Sequence, residues 1–417
     1  MRILYLHQHY SGPGGATATR SHAMARALLA AGHHVTIACG QYAGAVTGLT
    51  GEMRHGRREG VVQGVRLVEF AIPCGNHQGF SSRSLAFGRF AAAASRLALA
   101  EPWDLVIASS TPLTVVVPAL LARRLRGTPF VYEIRDPWPE LPRAMGAAPP
   151  LALAAMEPLA TAACRQAAAV VALSEGMAET ALARGAEPAR VAVVPNGCDL
   201  DLFGPQVAPW RPEGAAPWEV LAVYAGAHGR ANGLDQLLDA AEILQFRGEH
   251  RIRLLLVGEG GEKPRLRQAA TERGLANLSF LDSLPKRQLA ALLAGAQVGV
   301  QCLAPVPEFA EWTAPNKLMD YLAAGLPVVA NLSGRAARLL AGGPVACGIP
   351  APPGDAAALA DALVWMADNP HRRAEMGAAA RAQAVRRWDR RLLAADFVRA
   401  VEAAAGAPRT AGEWATA

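Results

Sequence analysis

Short apolar, β-branched runs recur along the chain at intervals that leave room for a helix between them. Ile3-Leu4-Tyr5-Leu6 follow Met1-Arg2, then come a loop with Gly12, Gly14 and Gly15, an Ala-rich stretch of helical period to about Ala31, a stop at Gly32, and a second run from Val35 to Cys39. That is a βαβ unit. Further runs at Val65–Phe70, Asp104–Ala108, Pro129–Tyr132, Ala169–Leu173 and Val191–Val194 alternate with helical stretches, which predicts an α/β fold with a mostly parallel sheet covered on both faces.

The pattern breaks at Gly204–Pro217, where four prolines and two glycines leave neither helical nor strand period, as in an interdomain linker. It then restarts: a run Glu219–Tyr224, a loop with Gly226, Gly229 and Gly233, a helix to about Phe246 and a run Ile252–Val257 repeat the N-terminal layout. Residues 1–203 and 218–385 are therefore expected to form two Rossmann-like domains, joined by 204–217. Residues 386–417 are expected to form a helical tail rich in Arg and Ala that packs back on the first domain.

The 417 residues exceed what one core serves well, so two domains also suit the length. Apolar residues at 52% and charged residues at 18% exclude a disordered chain. The net charge of +6 comes without a run of like charges or interleaved aromatics, which argues against nucleic acid as a partner. It is consistent with an ordinary basic surface or with an attraction to phosphate, carried by nucleotides, lipid-linked phosphates or an anionic membrane face. Cys39, Cys74, Cys164, Cys198, Cys302 and Cys347 stand alone, as small buried residues of a reducing compartment. The N-terminus lacks a signal-peptide pattern, and no apolar stretch approaches about 18 residues. The expected location is cytoplasmic, free or held at the inner face of a membrane.

Gly12-Pro13-Gly14-Gly15 could let helix N-terminal N–H groups approach an anion, or serve only as a tight turn. The second run, His34 to Gly40, has no carboxylate for a ribose, which disfavours an NAD-dependent oxidoreductase. In Ala314–Val329, Pro315 suits the first position of a helix that Gly325 and Pro327 end. Lys317 and Asp320 share one face of it, where a cation and a carboxylate could hold a phosphate and a ribose diol, or pair with each other in solvent.

These pieces together resemble the retaining glycosyltransferases of family GT4 over nearly the whole length. They are Gly14-Gly15, Val194-Pro195-Asn196-Gly197 with Asp199–Phe203, Tyr224-Ala225-Gly226, Leu256-Val257-Gly258-Glu259-Gly260, and Pro315-Asn316-Lys317 through Val329. Tyr132–Glu140 looks like the branch that builds bacterial surface polysaccharides, including aminosugar transferases of the N-acetylfucosamine type. The resemblance implies a GT-B architecture, two Rossmann-like domains facing across a cleft, with a donor mainly on the second domain and an acceptor presented by the first. Asp320 would then hold the ribose hydroxyls, Leu284 flank the base, Gly14 and Gly15 approach the sugar phosphate, and Arg230 and Lys317 meet the diphosphate. Gly226, Gly258, Glu259 and Asn316 complete the implied donor set, and Arg135 and Asp136 the catalytic, acceptor-side pair. No metal or other cofactor is implied, so cations and N–H groups must stabilise the departing diphosphate.

Several positions depart from the family pattern. Trp312 stands where many relatives carry the first Glu of Glu-x7-Glu, with Glu308 and Glu311 nearby, and the loop opening domain two offers only Arg230. Arg135 replaces a common His, and a salt-bridged structural pair with Asp136 is the alternative reading. Asp199-Leu200-Asp201 follows the GT4 loop and is not expected to bind a metal. Arg83, Arg89 and Arg96 among Leu85, Phe87, Phe90 and Leu97 suggest a basic amphipathic helix, facing either a core or an anionic membrane. The expected activity is transfer of a hexose, or an N-acetylated or deoxy hexose, from a UDP-sugar to a saccharide or polyprenyl-diphosphate-linked acceptor. A nucleotide-sugar 2-epimerase and a non-catalytic sugar-nucleotide-binding protein are the alternatives.

Overall fold

The computed structural model describes residues 1–12, 14–15, 20–75, 78–312 and 316–406, so Pro13 and Pro315 lie outside the described residues. The chain divides into two compact units, Met1–Pro195 with Arg391 onward, and Asn196–Arg390.

Among the described residues the first unit holds eight strands: β1 (Arg2–Leu6), β2 (His34–Tyr42), β3 (Arg57–Val62), β4 (Val65–Cys74), β5 (Leu105–Ser109), β6 (Phe130–Ile134), β7 (Ala169–Ala172) and β8 (Val191–Val193). They lie in the order β3-β4-β2-β1-β5-β6-β7-β8, all parallel except β3, which is antiparallel to β4. β1, β5, β6 and β7 are almost wholly buried, as central strands covered on both faces must be. β3 is the strand the apolar pattern missed, because Arg57-Arg58-Glu59-Gly60 alternates half-exposed at a sheet edge. Gln63 and Gly64, both with positive φ, make the two-residue turn that returns it to β4.

The helix Phe80–Ala100 turns Phe87, Phe90 and Leu97 into this core, leaving Leu85 and Arg89 exposed. Its apolar stripe thus serves the protein interior. The helix Arg390–Gly406 buries Leu393, Phe397 and Val401, and Phe397 stacks on Tyr5 of β1 at 6.2 Å.

The second unit holds β9 (Val220–Ala225), β10 (Ile252–Val257), β11 (Leu278–Leu281), β12 (Val298–Gln301), β13 (Val328–Ala330) and β14 (Gly348–Pro350), all parallel, in the order β11-β10-β9-β12-β13-β14. In both sheets the order reverses beside the first strand, between β1 and β5 and between β9 and β12. The carboxyl ends at such a point are where open α/β sheets leave a crevice for ligands.

Residues 204–217, read from sequence as a linker between domains, lie inside the second unit. Phe203 just before them is fully buried, Trp210 N–H donates to Ala291 O at 2.8 Å, and the Arg211 guanidinium binds Gly295 O at 3.0 Å. The chain enters and leaves this unit side by side: Cys198 N–H donates to Trp388 O, Arg390 N–H to Cys198 O, and Arg390 pairs with Asp199 at 2.6 Å. All six cysteines are free and buried, and among the described residues no helix is long and apolar enough to cross a membrane.

Candidate functional site

In the second unit Gly226, Gly258 and Glu259 of the implied donor set follow the carboxyl ends of β9 and β10, and Lys317 reaches over Gly226. Gly226 follows β9 and Gly258 follows β10, and Gly226 N–H donates to Val257 O at 2.9 Å. A Cβ on Gly226 would sit 2.5 Å from Lys317 Cε, and one on Gly258, whose φ is +144°, would sit 1.9 Å from Gly226 O. Gly258 therefore needs glycine, whereas a side chain at Gly226 would push aside Lys317, which crosses over it.

Lys317 comes from the helix Asn316–Ala324. Its ammonium donates to Tyr224 Oη at 3.1 Å and to Asn232 Oδ1 at 3.0 Å, and sits 4.5 Å from the Tyr224 ring centre. The Tyr224 hydroxyl donates in turn to Ala227 O at 2.8 Å. Every partner is neutral, and burial around the amine pushes its pKa down to about 8. The result is a cation with a preformed seat and, among the described residues, no counter-charge.

Lys317 and Asp320 do not pair with each other. Asp320 is buried and accepts from Lys286 Nζ at 2.6 Å, the ammonium of Lys286 lying 5.3 Å from the Phe203 ring centre. Lys286 opens a helix 34 residues earlier, and nothing in its local sequence marks it out. Leu284 packs half-buried against the cluster that includes Phe203, close in sequence to Lys286. Arg230 is exposed and has no ion pair among the described residues, Asn316 is exposed, and Glu259 is ion-paired with Lys263 at 2.7 Å. Glu311, a candidate for the displaced carboxylate, pairs with Arg335 at 2.5 Å. His228 is buried, both ring nitrogens lack a partner, and burial together with the nearby lysines pushes its pKa down to about 4.

In the first unit, Arg135 and Asp136 follow β6, and they do not pair with each other. Arg135 donates to His7 Nε2 at 2.8 Å and to Ser21 Oγ at 3.3 Å, while Asp136 accepts from Thr111 Oγ1 at 2.6 Å. Arginine can only donate, so His7 Nε2 accepts, and its proton sits on Nδ1, 2.8 Å from Ser21 Oγ. Burial and the Arg135 charge hold His7 well below its ordinary pKa, so it stays neutral. Beneath them Glu133 is fully buried, accepting from Arg20 at 2.9 Å, Tyr5 at 2.8 Å and Ser109 at 2.6 Å, and Arg20 also binds the carbonyls of Val194 and Pro195. Desolvation raises the Glu133 pKa, but the Arg20 and Arg135 charges together with these bonds outweigh it and lower the pKa.

Gly15 N–H donates to Gly12 O at 3.0 Å, and a Cβ at Gly15 would meet Ser11 Oγ at 1.9 Å, so packing within the loop already requires that glycine. Gly14 is exposed, with only Val46 near its missing Cβ. Sequence reading missed His7, Ser21, His228 and Lys286. His7 alone carried a signal, as the residue directly after an apolar strand.

Two open α/β sheets, each with polar residues at the carboxyl end of its switch point, define a nucleotide-binding two-domain architecture. Residues 15–197 match the family model described as a glycosyl transferase 4-like domain, and residues 219–369 match glycosyl transferases group 1. The chain belongs to the GT4 group of glycosyltransferases and has the GT-B fold. It is 33% identical over 217 residues to a phosphatidyl-myo-inositol mannosyltransferase of Mycobacterium leprae, a match covering 51% of this chain and 53% of that protein. The chain thus spans about half the length of the curated relatives it matches. A putative colanic acid biosynthesis glycosyl transferase, WcaI of Escherichia coli, is 33% identical over 107 residues, 25% of each chain. Among solved structures, HepE of Anabaena in complex with UDP and glucose superposes with a TM-score of 0.68 at 20% identity, covering 96% of this chain and 99% of that one.

Proposed function

We propose that the protein transfers a hexose, or an N-acetylated or deoxy hexose, from a UDP-sugar to a saccharide or lipid-linked acceptor with retention of configuration, in the building of a bacterial surface polysaccharide. The observation that carries this reading is Lys317, a half-buried cation with only neutral partners among the described residues, set over Gly226 at the carboxyl end of β9. A diphosphate is the counter-charge such a seat lacks. Asp320 takes the ribose hydroxyls while Lys286 orients its carboxylate. Lys317, Arg230 and backbone N–H groups after β9 and β10 stabilise the charge on the departing diphosphate, without a metal. Arg135 and Asp136 serve the acceptor side, Arg135 fixed by neutral His7 and Asp136 by Thr111. The UDP in the HepE structure supports the choice of nucleotide, and the colanic acid role assigned to WcaI supports the polysaccharide.

Thermal shift with UDP, GDP, ADP and NAD on the wild type and Asp320→Ala tests this, because a ligand that binds only the folded state raises its melting temperature. The expected result is a rise with UDP alone that the variant loses. No rise with any diphosphate, or a rise with NAD alone, would overturn it.

A further inference from the structure

Two residues after Asp136, Trp138 begins a row of aromatic side chains that the proposed transfer step leaves unused. The Phe87 ring meets Trp138 edge-on at 6.2 Å, the His9 ring lies 6.1 Å from Phe87 and 4.5 Å from Tyr42, and the Arg83 guanidinium sits 5.6 Å from the Phe87 ring centre. His9 follows β1, Tyr42 ends β2 and Trp138 follows β6, so the row runs along the carboxyl edge of the first unit's sheet. Phe87 is buried and anchors it, while Tyr42, His9, Arg83 and Trp138 each keep part of their surface in solvent.

The row runs Trp138, Phe87, His9, Tyr42, so half-exposed rings stand on either side of buried Phe87. Their π faces are negatively polarised, which suits the C–H bonds on one face of a pyranose ring. The charge beside them is one-sided. Neither Arg83 nor Arg135 has a carboxylate partner among the described residues, and His9, pushed down to about 3 by burial and by those two cations, adds a neutral ring able to bond a hydroxyl.

We propose that this row is the acceptor's ring subsite: it takes a pyranose that carries an anionic substituent, the ring lying on the aromatic row and the anion meeting Arg83. The assignment to an acceptor rests on the transferase reading above; the binding of an anionic saccharide does not.

The test uses the full chain saturated with UDP, so that sugar phosphates cannot occupy the donor seat. Methyl β-glucopyranoside, methyl β-glucuronoside and glucose 6-phosphate are titrated and followed by saturation-transfer NMR, on the wild type, Arg83→Gln and Trp138→Ala. One or both charged probes should bind about 10-fold more tightly than the neutral one, and which of them does so separates carboxylate from phosphate. Arg83→Gln should abolish that preference, and Trp138→Ala should weaken every probe by about 5-fold or more. Equal binding of neutral and charged probes, or unchanged binding in Trp138→Ala, overturns the proposal. Should Trp138→Ala fail to fold, Trp138→Leu keeps the bulk and removes the π face. UDP binding is read in the same samples. Saccharide binding without UDP binding sinks the transferase reading alone, and UDP binding without saccharide binding sinks the subsite alone.

Discussion

Lys317→Met should make the protein more stable and less able to bind UDP, two effects of opposite sign from one substitution. Lowering a lysine from 10.5 to about 8 means that its charged form is disfavoured by about 3 kcal/mol in the folded protein at neutral pH. Removing the charge recovers that, less two hydrogen bonds worth about 1 kcal/mol each, for a net gain of about 1 kcal/mol. A unit of this size gains about 2–4 °C in Tm per kcal/mol. Binding moves the other way, because a hydrogen bond to a charged group contributes about 1.5–3 kcal/mol, so the Kd for UDP should rise about 10- to 150-fold. Differential scanning fluorimetry gives the first number and titration calorimetry the second.

The pH dependence sharpens the case. Between about pH 8 and pH 10.5 the folded lysine has lost its proton while the unfolded one keeps it, so the unfolded state binds more protons and wild-type stability rises with pH through that window. The variant should lack this rise. A Lys317→Met protein that melts below the wild type, or that responds to UDP as strongly, would refute the reasoning about an uncompensated cation.

Other consequences can be checked directly. Asp320→Ala should weaken UDP binding about 10-fold or more, and a double-mutant cycle with Lys286→Met should give a coupling energy above about 0.5 kcal/mol if the 2.6 Å pair orients the carboxylate. Glu133→Ala should cost about 3–5 kcal/mol, seen in chemical denaturation, because it leaves Arg20 buried without its counter-charge. His9 and His228 titrate near 3 and 4 when folded and near 6.5 when unfolded, so stability present above about pH 6.5 should be lost progressively toward pH 4; a flat Tm over that range would contradict their burial. Gly258→Ala should fail to give soluble folded protein, or melt far below the wild type, since no adjustment clears a 1.9 Å approach to a backbone carbonyl.

Much of this was legible in the residues. The parallel strands β1, β2, β5, β6 and β7 show as apolar runs because both their faces are covered, and β3 does not because an edge strand needs only alternate burial. Gly204–Pro217 was misread because prolines and glycines report an irregular backbone, and irregular backbone can still be pinned, as Trp210 and Arg211 are. Lys317 and Asp320 were visible as a pair on one helix face. Their actual partners, Tyr224 and Lys286, lie 93 and 34 positions away, and no local spacing encodes such a meeting. The same holds for His7 and Arg135, 128 positions apart, whose contact also removed the alternative of an Arg135–Asp136 salt bridge.

The first unit is written in two pieces of the chain, since the helix Arg390–Gly406 stacks Phe397 on Tyr5 only after Asn196–Arg390 has been spelled out. On the ribosome, β1 through β8 must therefore wait with the Tyr5 face bare until the helix Arg390–Gly406 emerges, while the inserted unit, continuous in sequence, can finish first. A stop codon just after Arg390 would strip the first unit of its lid while leaving the second unit, Asn196–Arg390, complete, and such truncations should accumulate as aggregates while keeping the pocket around Lys317.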